Sequence, residues 1–169
     1  MQVTIRPARM PEDAEGLTAI RLMRGLMDDI DSIPSETSDW NARRLQNEEG
    51  SFMFVAEAAL SGGEKQLIGS IRLSVDPSWR MRHCGTLSGL MVHEDYRRRG
   101  VGTKLVGAAL DLADNWLRLI RQQLVVVTSN TGAVQLYEKM GFEKEALLRK
   151  TVAMDGGLYG DDYLMARIR

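Results

Sequence analysis

The sequence predicts an α/β (α+β) fold: a single domain over residues 1–169, in which helices flank one mixed, mostly antiparallel sheet. Three observations lead to this prediction. Segments with helical spacing of apolar residues alternate with segments that have strand patterns. The short β-branched run at residues 124–128 is typical of a strand covered on both faces. No repeat, linker or low-complexity tract interrupts the series, so we expect one continuous sheet.

The N-terminal half is predicted to contribute three strands and two helices. Residues 2–6 alternate like a strand, and Pro11, Glu12 and Asp13 then mark the start of a first helix. A second helix is predicted over residues 35–46. Strands at residues 51–58 and 67–76 are predicted to form a hairpin around the turn at residues 61–64.

The C-terminal half is predicted to add four strands and two helices. A strand at residues 86–92 precedes a long helix from Val101 to about Ile120, and the apolar spacing on that helix predicts that Trp116 lies in the core. The strand at residues 124–128 leads into a helix that Gly141 ends. Two further strands, at about residues 143–154 and 159–168, flank the turn at residues 155–157.

Composition excludes several classes of function. The net charge of −1 lacks the basic excess of a nucleic-acid-binding protein, and no apolar run approaches the roughly 20 residues of a membrane span. Two histidines and one cysteine do not give a metal-ligand spacing. The lone Cys84, together with an N-terminus that lacks a signal-peptide pattern, predicts a cytoplasmic protein. We therefore expect no metal, no nucleic acid and no membrane as partners.

A glycine turn at residues 97–103 is the most informative segment, because a strand leads through it into the long helix. Unpaired N–H groups at a helix N-terminus attract anions, and a glycine lets a phosphate approach the backbone. Lys104 follows Thr103, so the Gly-Lys-Ser/Thr order of a Walker loop is absent. Leu105 stands where a dinucleotide fingerprint has its third glycine. The turn therefore predicts a binding site for a small anion, and this site is neither a Walker loop nor a dinucleotide fingerprint.

Two motifs in register resemble those of the GNAT superfamily of acyl-CoA N-acyltransferases. The first is Arg97, Gly100 and Gly102 after a strand that ends in an apolar-x-Val triplet. About thirty residues downstream, the second comprises Asn130, Ala133, Leu136, Tyr137, Gly141 and Phe142. The resemblance implies the GNAT fold, with about seven strands, about four helices and splayed fourth and fifth strands. It also implies acetyl-CoA as co-substrate, a pantetheine arm held between the splayed strands, and a possible homodimer.

The resemblance assigns roles to individual residues. The implied cofactor-binding residues are Leu90, Met91, Val92, Arg97, Arg98, Arg99, Gly100, Val101, Gly102, Thr103 and Asn130. Tyr137 is the candidate catalytic acid, because a phenol stays protonated at neutral pH and can donate to the departing thiolate. The general base stays open. Some relatives carry a glutamate where this chain has Val125, and a water chain, His83, Asp162 or Glu57 are the alternatives, whereas His93 is expected to be a loop residue.

The acceptor is expected to be the primary amine of a small molecule. The C-terminal segment at residues 159–167 resembles a bacterial branch that acetylates free amino acids or similar amines. Two alternatives remain: a protein N-terminal or lysine acetyltransferase of the ribosomal-protein type, and a non-catalytic acyl-CoA-binding module.

Overall fold

A computed structural model describes residues 2–21, 23, 49–60, 63–154 and 157–169. The strands are β1 (Val3–Pro7), β2 (Ser51–Ala59), β3 (Lys65–Val75), β4 (Cys84–Val92), β5 (Arg121–Val127), β6 (Glu143–Ala153) and β7 (Tyr159–Ile168). The α-helices within these residues are α1 (Ala14–Arg21), α2 (Val101–Asp111) and α3 (Thr131–Lys139). The helix predicted at residues 35–46 lies outside the described residues.

The seven strands form one sheet in the order β1-β2-β3-β4-β5-β7-β6. The β4–β5 pair is parallel and every other neighbouring pair is antiparallel, which confirms the predicted mixed sheet. β4 and β5 pair only from Cys84↔Arg121 to Thr86↔Gln123. Beyond that point the ladder between these two strands stops, so their C-terminal halves splay apart as expected.

Helices cover both faces of the sheet. Val55 packs with Leu17 of α1, whereas its neighbour Ala56 belongs to the main core cluster with Leu105 of α2. Successive residues of a strand point to opposite faces, so α1 and α2 lie on opposite sides. The main cluster also contains Tyr137, which places α3 on the same side as α2. We call these the α1 face and the α2/α3 face. None of the helices in the described ranges has the length and apolarity of a bilayer-spanning segment.

The long helix predicted as far as Ile120 is shorter than expected. After Asp111 the chain forms a π-helical turn, Leu112–Trp116, in which the Leu117 N–H donates to the Leu112 carbonyl at 2.9 Å. The wider turn changes which residues face the sheet. Ala113 is fully buried, whereas Trp116 is 77% exposed. The prediction that Trp116 lies in the core is therefore wrong.

Candidate active site

A bulge in β4 lies where this strand leaves β5. Between the pairs Ser70↔Met91 and Arg72↔Ser88, β4 contains one residue more than β3. Gly89 has φ +60° there, a conformation that favours glycine, and its carbonyl accepts a hydrogen bond from the Ser70 hydroxyl at 3.3 Å. Bulges redirect a strand locally. The bulge precedes the predicted cofactor residues at 90–92, and the glycine within the strand pattern was the sequence feature that could have revealed it.

The glycine turn connects β4 to α2 and is fixed by its own arginines. The Arg97 Nε donates to the Val92 carbonyl at 3.1 Å, which ties the turn to the end of β4. The Arg99 guanidinium lies 5.8 Å from the centre of the Tyr96 ring. Arg98 has φ +60°. Contacts thus hold the side chains of Arg97 and Arg99, and all three consecutive arginines lie next to the start of α2.

The N-terminus of α2 has no side-chain cap. Gly100 is the cap residue and has φ +79°, and the first bond into the helix runs from the Lys104 N–H to the Gly100 carbonyl at 3.1 Å. The N–H groups of Val101, Gly102 and Thr103 therefore have no partner within the helix. These three residues were predicted to bind the cofactor, and the structure brings their N–H groups and the arginines to one place.

Gly102 lies at the contact between α2 and α3. A Cβ atom at this position would lie 3.2 Å from the Leu136 Cδ2 atom of α3. At Gly100 an added Cβ would meet nothing within 4 Å, so this glycine is required by its positive φ alone. The two glycines of the motif thus have different physical causes, and sequence reasoning had assigned both to phosphate approach.

Asn130 caps the N-terminus of α3. Its side-chain Oδ1 atom accepts a hydrogen bond from the Ala133 N–H at 3.1 Å. The Nδ2 amide group makes no hydrogen bond within the described part of the chain. The oxygen therefore has a structural role that the sequence interpretation did not include, while the two amide protons stay available to a ligand.

Tyr137 lies in α3 and is only 7% exposed. Its ring packs edge to face against Phe142, with the ring centres 5.8 Å apart. Burial raises the pKa of the phenol to about 12. The hydroxyl makes no hydrogen bond to any described residue, which is uncommon for a buried polar group. The group is therefore neutral at physiological pH and has a proton to donate.

The candidate bases differ in their surroundings. Glu57 accepts a hydrogen bond from the Arg6 Nη2 at 2.5 Å, and this bond lowers the pKa of the carboxyl, so Glu57 is a poor base. His83 is exposed, and the His93 Nδ1 accepts from the Asp95 N–H at 3.3 Å within the loop after β4. Asp162 is buried in β7. Val125, at the position where some relatives have glutamate, is 53% exposed on β5.

Two cavities lie away from this region. One, of about 390 Å³, is lined by Phe54 of β2 and Leu112 and Trp116 beyond α2. The other, of about 460 Å³, borders Val75 and Leu119. Neither is lined by the residues of the glycine turn or of α3. The candidate site is therefore defined by the splayed strands and the two helix starts rather than by either cavity.

Comparisons with known proteins agree with this geometry. The model of the acetyltransferase (GNAT) family matches residues 21–142. L-amino acid N-acetyltransferase AaaT of Escherichia coli is 29% identical over 168 residues, which cover 99% of each chain. An N-alpha-acetyltransferase of Saccharolobus solfataricus is 39% identical over 83 residues, covering 49% of this chain and 47% of the relative.

The fold is also that of solved acetyltransferases. A GNAT-family acetyltransferase from Streptococcus pneumoniae superimposes with a TM-score of 0.81 at 27% identity, covering 99% of this chain and 100% of that one. Splayed strands, an uncapped helix start and a buried tyrosine occur together here with a family match over most of the sequence. The chain therefore belongs to the acetyltransferase (GNAT) family and is an acyl-CoA-dependent N-acetyltransferase.

Proposed function

We propose that the enzyme transfers an acetyl group from acetyl-CoA to the primary amine of a small molecule, a free amino acid or a similar compound, by direct attack in a ternary complex. The observation that carries this proposal is the similarity over 99% of both chains to a relative named an L-amino acid N-acetyltransferase. The match to the N-alpha-acetyltransferase covers only half of either chain. A substrate preference shared with the full-length relative is therefore the better supported choice.

In this proposal the cofactor spans the two helix starts. The free N–H groups at 101–103 and the arginines at 97–99 bind its pyrophosphate, since a helix N-terminus carries about half a positive charge. The pantetheine arm enters the gap between β4 and β5, where the backbone of residues 90–92 bonds it from one side. The free Nδ2 group of Asn130 bonds it from the other.

The reaction requires a neutral amine, a stabilised oxyanion and a protonated leaving group. A backbone N–H near Met91 or Val92 donates to the oxyanion. Tyr137 donates its proton to the thiolate. The buried hydroxyl supports this role because it is protonated at neutral pH and bonds to none of the described residues.

A thiol-release assay with acetyl-CoA tests the acceptor class. Free L-methionine, free L-phenylalanine and short peptides with free N-termini are compared as acceptors at equal concentrations. We expect turnover on free amino acids, with a higher kcat/KM than on peptides. Turnover on peptides alone would refute the small-molecule assignment and favour a protein N-terminal acetyltransferase. Stoichiometric binding of acetyl-CoA without turnover on any amine would identify a non-catalytic acyl-CoA-binding module.

Replacing Tyr137 by Phe tests the acid. We expect kcat to fall by about 100-fold or more, because general acid catalysis contributes typically 10²–10⁴-fold. Coenzyme A affinity should stay within about twofold of wild type, since the ring and its packing are kept. Tyr163→Phe is the matched control, because this β7 tyrosine packs beside Lys144 at the outer strands, and it should leave kcat unchanged. Equal activity of wild type and Tyr137→Phe would remove Tyr137 from the mechanism.

A further inference from the structure

Asp162 of β7 has the surroundings of a group that binds a cationic ligand. Building on the proposed function, we propose that the Asp162 carboxylate binds the ammonium group of the acceptor and takes up its proton before the attack on the thioester. The position lies on a strand that the two cofactor motifs do not include.

The carboxylate is buried and has no side-chain partner among the residues that the structure describes. Besides Tyr137, whose unbonded hydroxyl is described above, the described part of the chain buries five polar or charged residues: Asp13, Thr18, Ser70, Gln122 and Asp162. The side chains of the first four are all hydrogen-bonded. Asp162, 8% exposed, forms no side-chain hydrogen bond or ion pair with any described residue. Buried charges are normally paired because an unpaired one is costly, so this exception indicates a ligand.

The described neighbours of Asp162 in the sheet do not supply a counter-charge. Its cross-strand partners are Val127 on β5 and Leu148 on β6, both apolar. Arg121 and Glu145 lie on the same face of these strands but pair with each other, and Arg121 is about 20 Å from Val127 along the strand. Arg149 and Lys150 of β6 are exposed. A bound ammonium group is the simplest compensation for the carboxylate.

The register places Asp162 beside the splayed gap. It is opposite Val127, at the end of β5, and adjacent strands lie about 5 Å apart. Tyr163 and Met165 pack into the core on the α2/α3 face, so Asp162, which alternates with them, points to the α1 face. Val125 lies on that same face opposite Leu164. A carboxylate on β7 can thus act where β5 itself has only a valine.

Asp162 and Tyr137 then lie on opposite faces of the sheet with the gap between them. Such an arrangement lets the amine approach from the α1 face, while the thiol accepts its proton from the α2/α3 face. The two proton transfers therefore take place at separate positions, and Tyr137 does not transfer its proton directly to Asp162.

The proton balance is complete with these two residues. Asp162 takes one proton from the ammonium group, which frees the nitrogen lone pair. The nitrogen attacks the carbonyl carbon, which forms the C–N bond and an oxyanion, and the C–S bond then breaks as the carbonyl double bond re-forms. The thiolate takes the Tyr137 proton, and the second proton lost by the nitrogen restores the phenol. Asp162 releases its proton to water, so the products are the amide, the free thiol and one proton.

The test compares Asp162→Asn with Asp161→Asn, using whichever acceptor the wild-type enzyme acetylates. Asp161 is a matched control because its carboxylate only accepts from the Lys150 N–H, at 2.8 Å, and asparagine keeps an oxygen for that bond. We expect kcat/KM for the amine to fall about 100-fold at pH 7 in Asp162→Asn and to stay within about twofold in Asp161→Asn. The loss should shrink as pH rises, because more of the amine is then already neutral.

Stability and cofactor affinity separate this role from a structural one. Removing an unpaired buried charge should keep or raise the thermal midpoint of Asp162→Asn, by up to about 3 °C, and leave the Kd of coenzyme A within twofold. A lowered midpoint or a lost cofactor affinity would instead assign Asp162 to the scaffold. Turnover within about threefold of wild type would also overturn the proposal. The two variants are compared with wild type on whichever acceptor the wild-type enzyme acetylates, so peptide-only activity refutes the proposed substrate class without deciding Asp162.

Discussion

The starts of α2 and α3 are two solutions to the same physical problem. Every α-helix begins with N–H groups that have no partner within the helix. At α3 the chain supplies its own acceptor, since the Asn130 Oδ1 binds the Ala133 N–H. At α2 it supplies none, because the cap residue Gly100 has no side chain. One helix start therefore has a side-chain cap, and the other, which has none, is the start proposed to bind the pyrophosphate.

The difference also extends to charge. Three arginines precede α2, whereas residues 127–130 before α3 carry no charge, and neither helix has an acidic residue in its first turn. An acid there would satisfy the free N–H groups and add favourably to the helix dipole. Since both helix starts lack such an acid, the arginines are what distinguish α2 as the start proposed to bind the cofactor phosphate. Neighbouring helix starts in one site can serve structure and binding separately.

The largest effect is expected from placing an acidic residue in the first turn of each helix and comparing the two changes in coenzyme A affinity. In α2, Thr103→Asp places a carboxylate among the free N–H groups, where it competes with and repels the proposed pyrophosphate. We expect coenzyme A to bind at least about 10-fold more weakly, which corresponds to about 1.4 kcal/mol. The thermal midpoint should hold or rise slightly, because the acid favours the helix dipole. Isothermal titration with coenzyme A and thermal unfolding measure the two quantities.

Thr131→Asp in the first turn of α3 is the matched control. It adds the same charge at an exposed helix start that faces no proposed phosphate. Coenzyme A affinity should change by less than about threefold. If both variants weaken binding equally, the effect comes from net charge alone and the phosphate does not lie at α2.

Two substitutions of Asn130 separate its capping oxygen from its free amide group. Asn130→Ala removes both and should cost about 1 kcal/mol of stability through the lost cap. Asn130→Asp keeps the capping oxygen and loses only the Nδ2 donor, so stability should match wild type. Both should raise the KM for acetyl-CoA by about three- to tenfold if the amide binds the pantetheine arm. A wild-type KM in Asn130→Asp would leave Asn130 as a cap alone.

Sequence patterns predicted the fold well where local geometry determined the outcome. Strand alternation and helix spacing gave the seven strands and the helices α1, α2 and α3, because burial on one face follows directly from those periods. They failed at Trp116. Apolar residues occur on several sides of that segment, so spacing could not reveal the π-helical turn that buries Ala113 and exposes Trp116.

The candidate site was predictable in its motifs and less so in its surroundings. Gly100 and Asn130 were identified from the resemblance to the two GNAT motifs, and the structure places them as the cap residues of α2 and α3. The bulge at Gly89 and the burial of Asp162 depend on strand register across the sheet, which a single sequence does not specify. The sequence around an aspartate in a strand does not show whether its carboxylate is ion-paired, exposed to solvent or in contact with a ligand.

The smallest effect is expected at Arg98, and it concerns backbone strain. Arg98 has φ +60°, whereas Asn130, before α3, has φ −79°. Left-handed conformations cost a non-glycine residue about 1–2 kcal/mol, and glycine adopts them freely but loses more entropy on folding. Arg98→Gly should therefore gain about 0.5 kcal/mol of stability, measured by urea unfolding, and should weaken coenzyme A binding by only about two- to threefold through the lost charge. Asn130→Gly, which has no strain to relieve, should gain nothing. Destabilisation by Arg98→Gly would mean that the arginine side chain holds the turn more strongly than its backbone strains it, and the turn before α2 would then be stabilised by side chains much as α3 is.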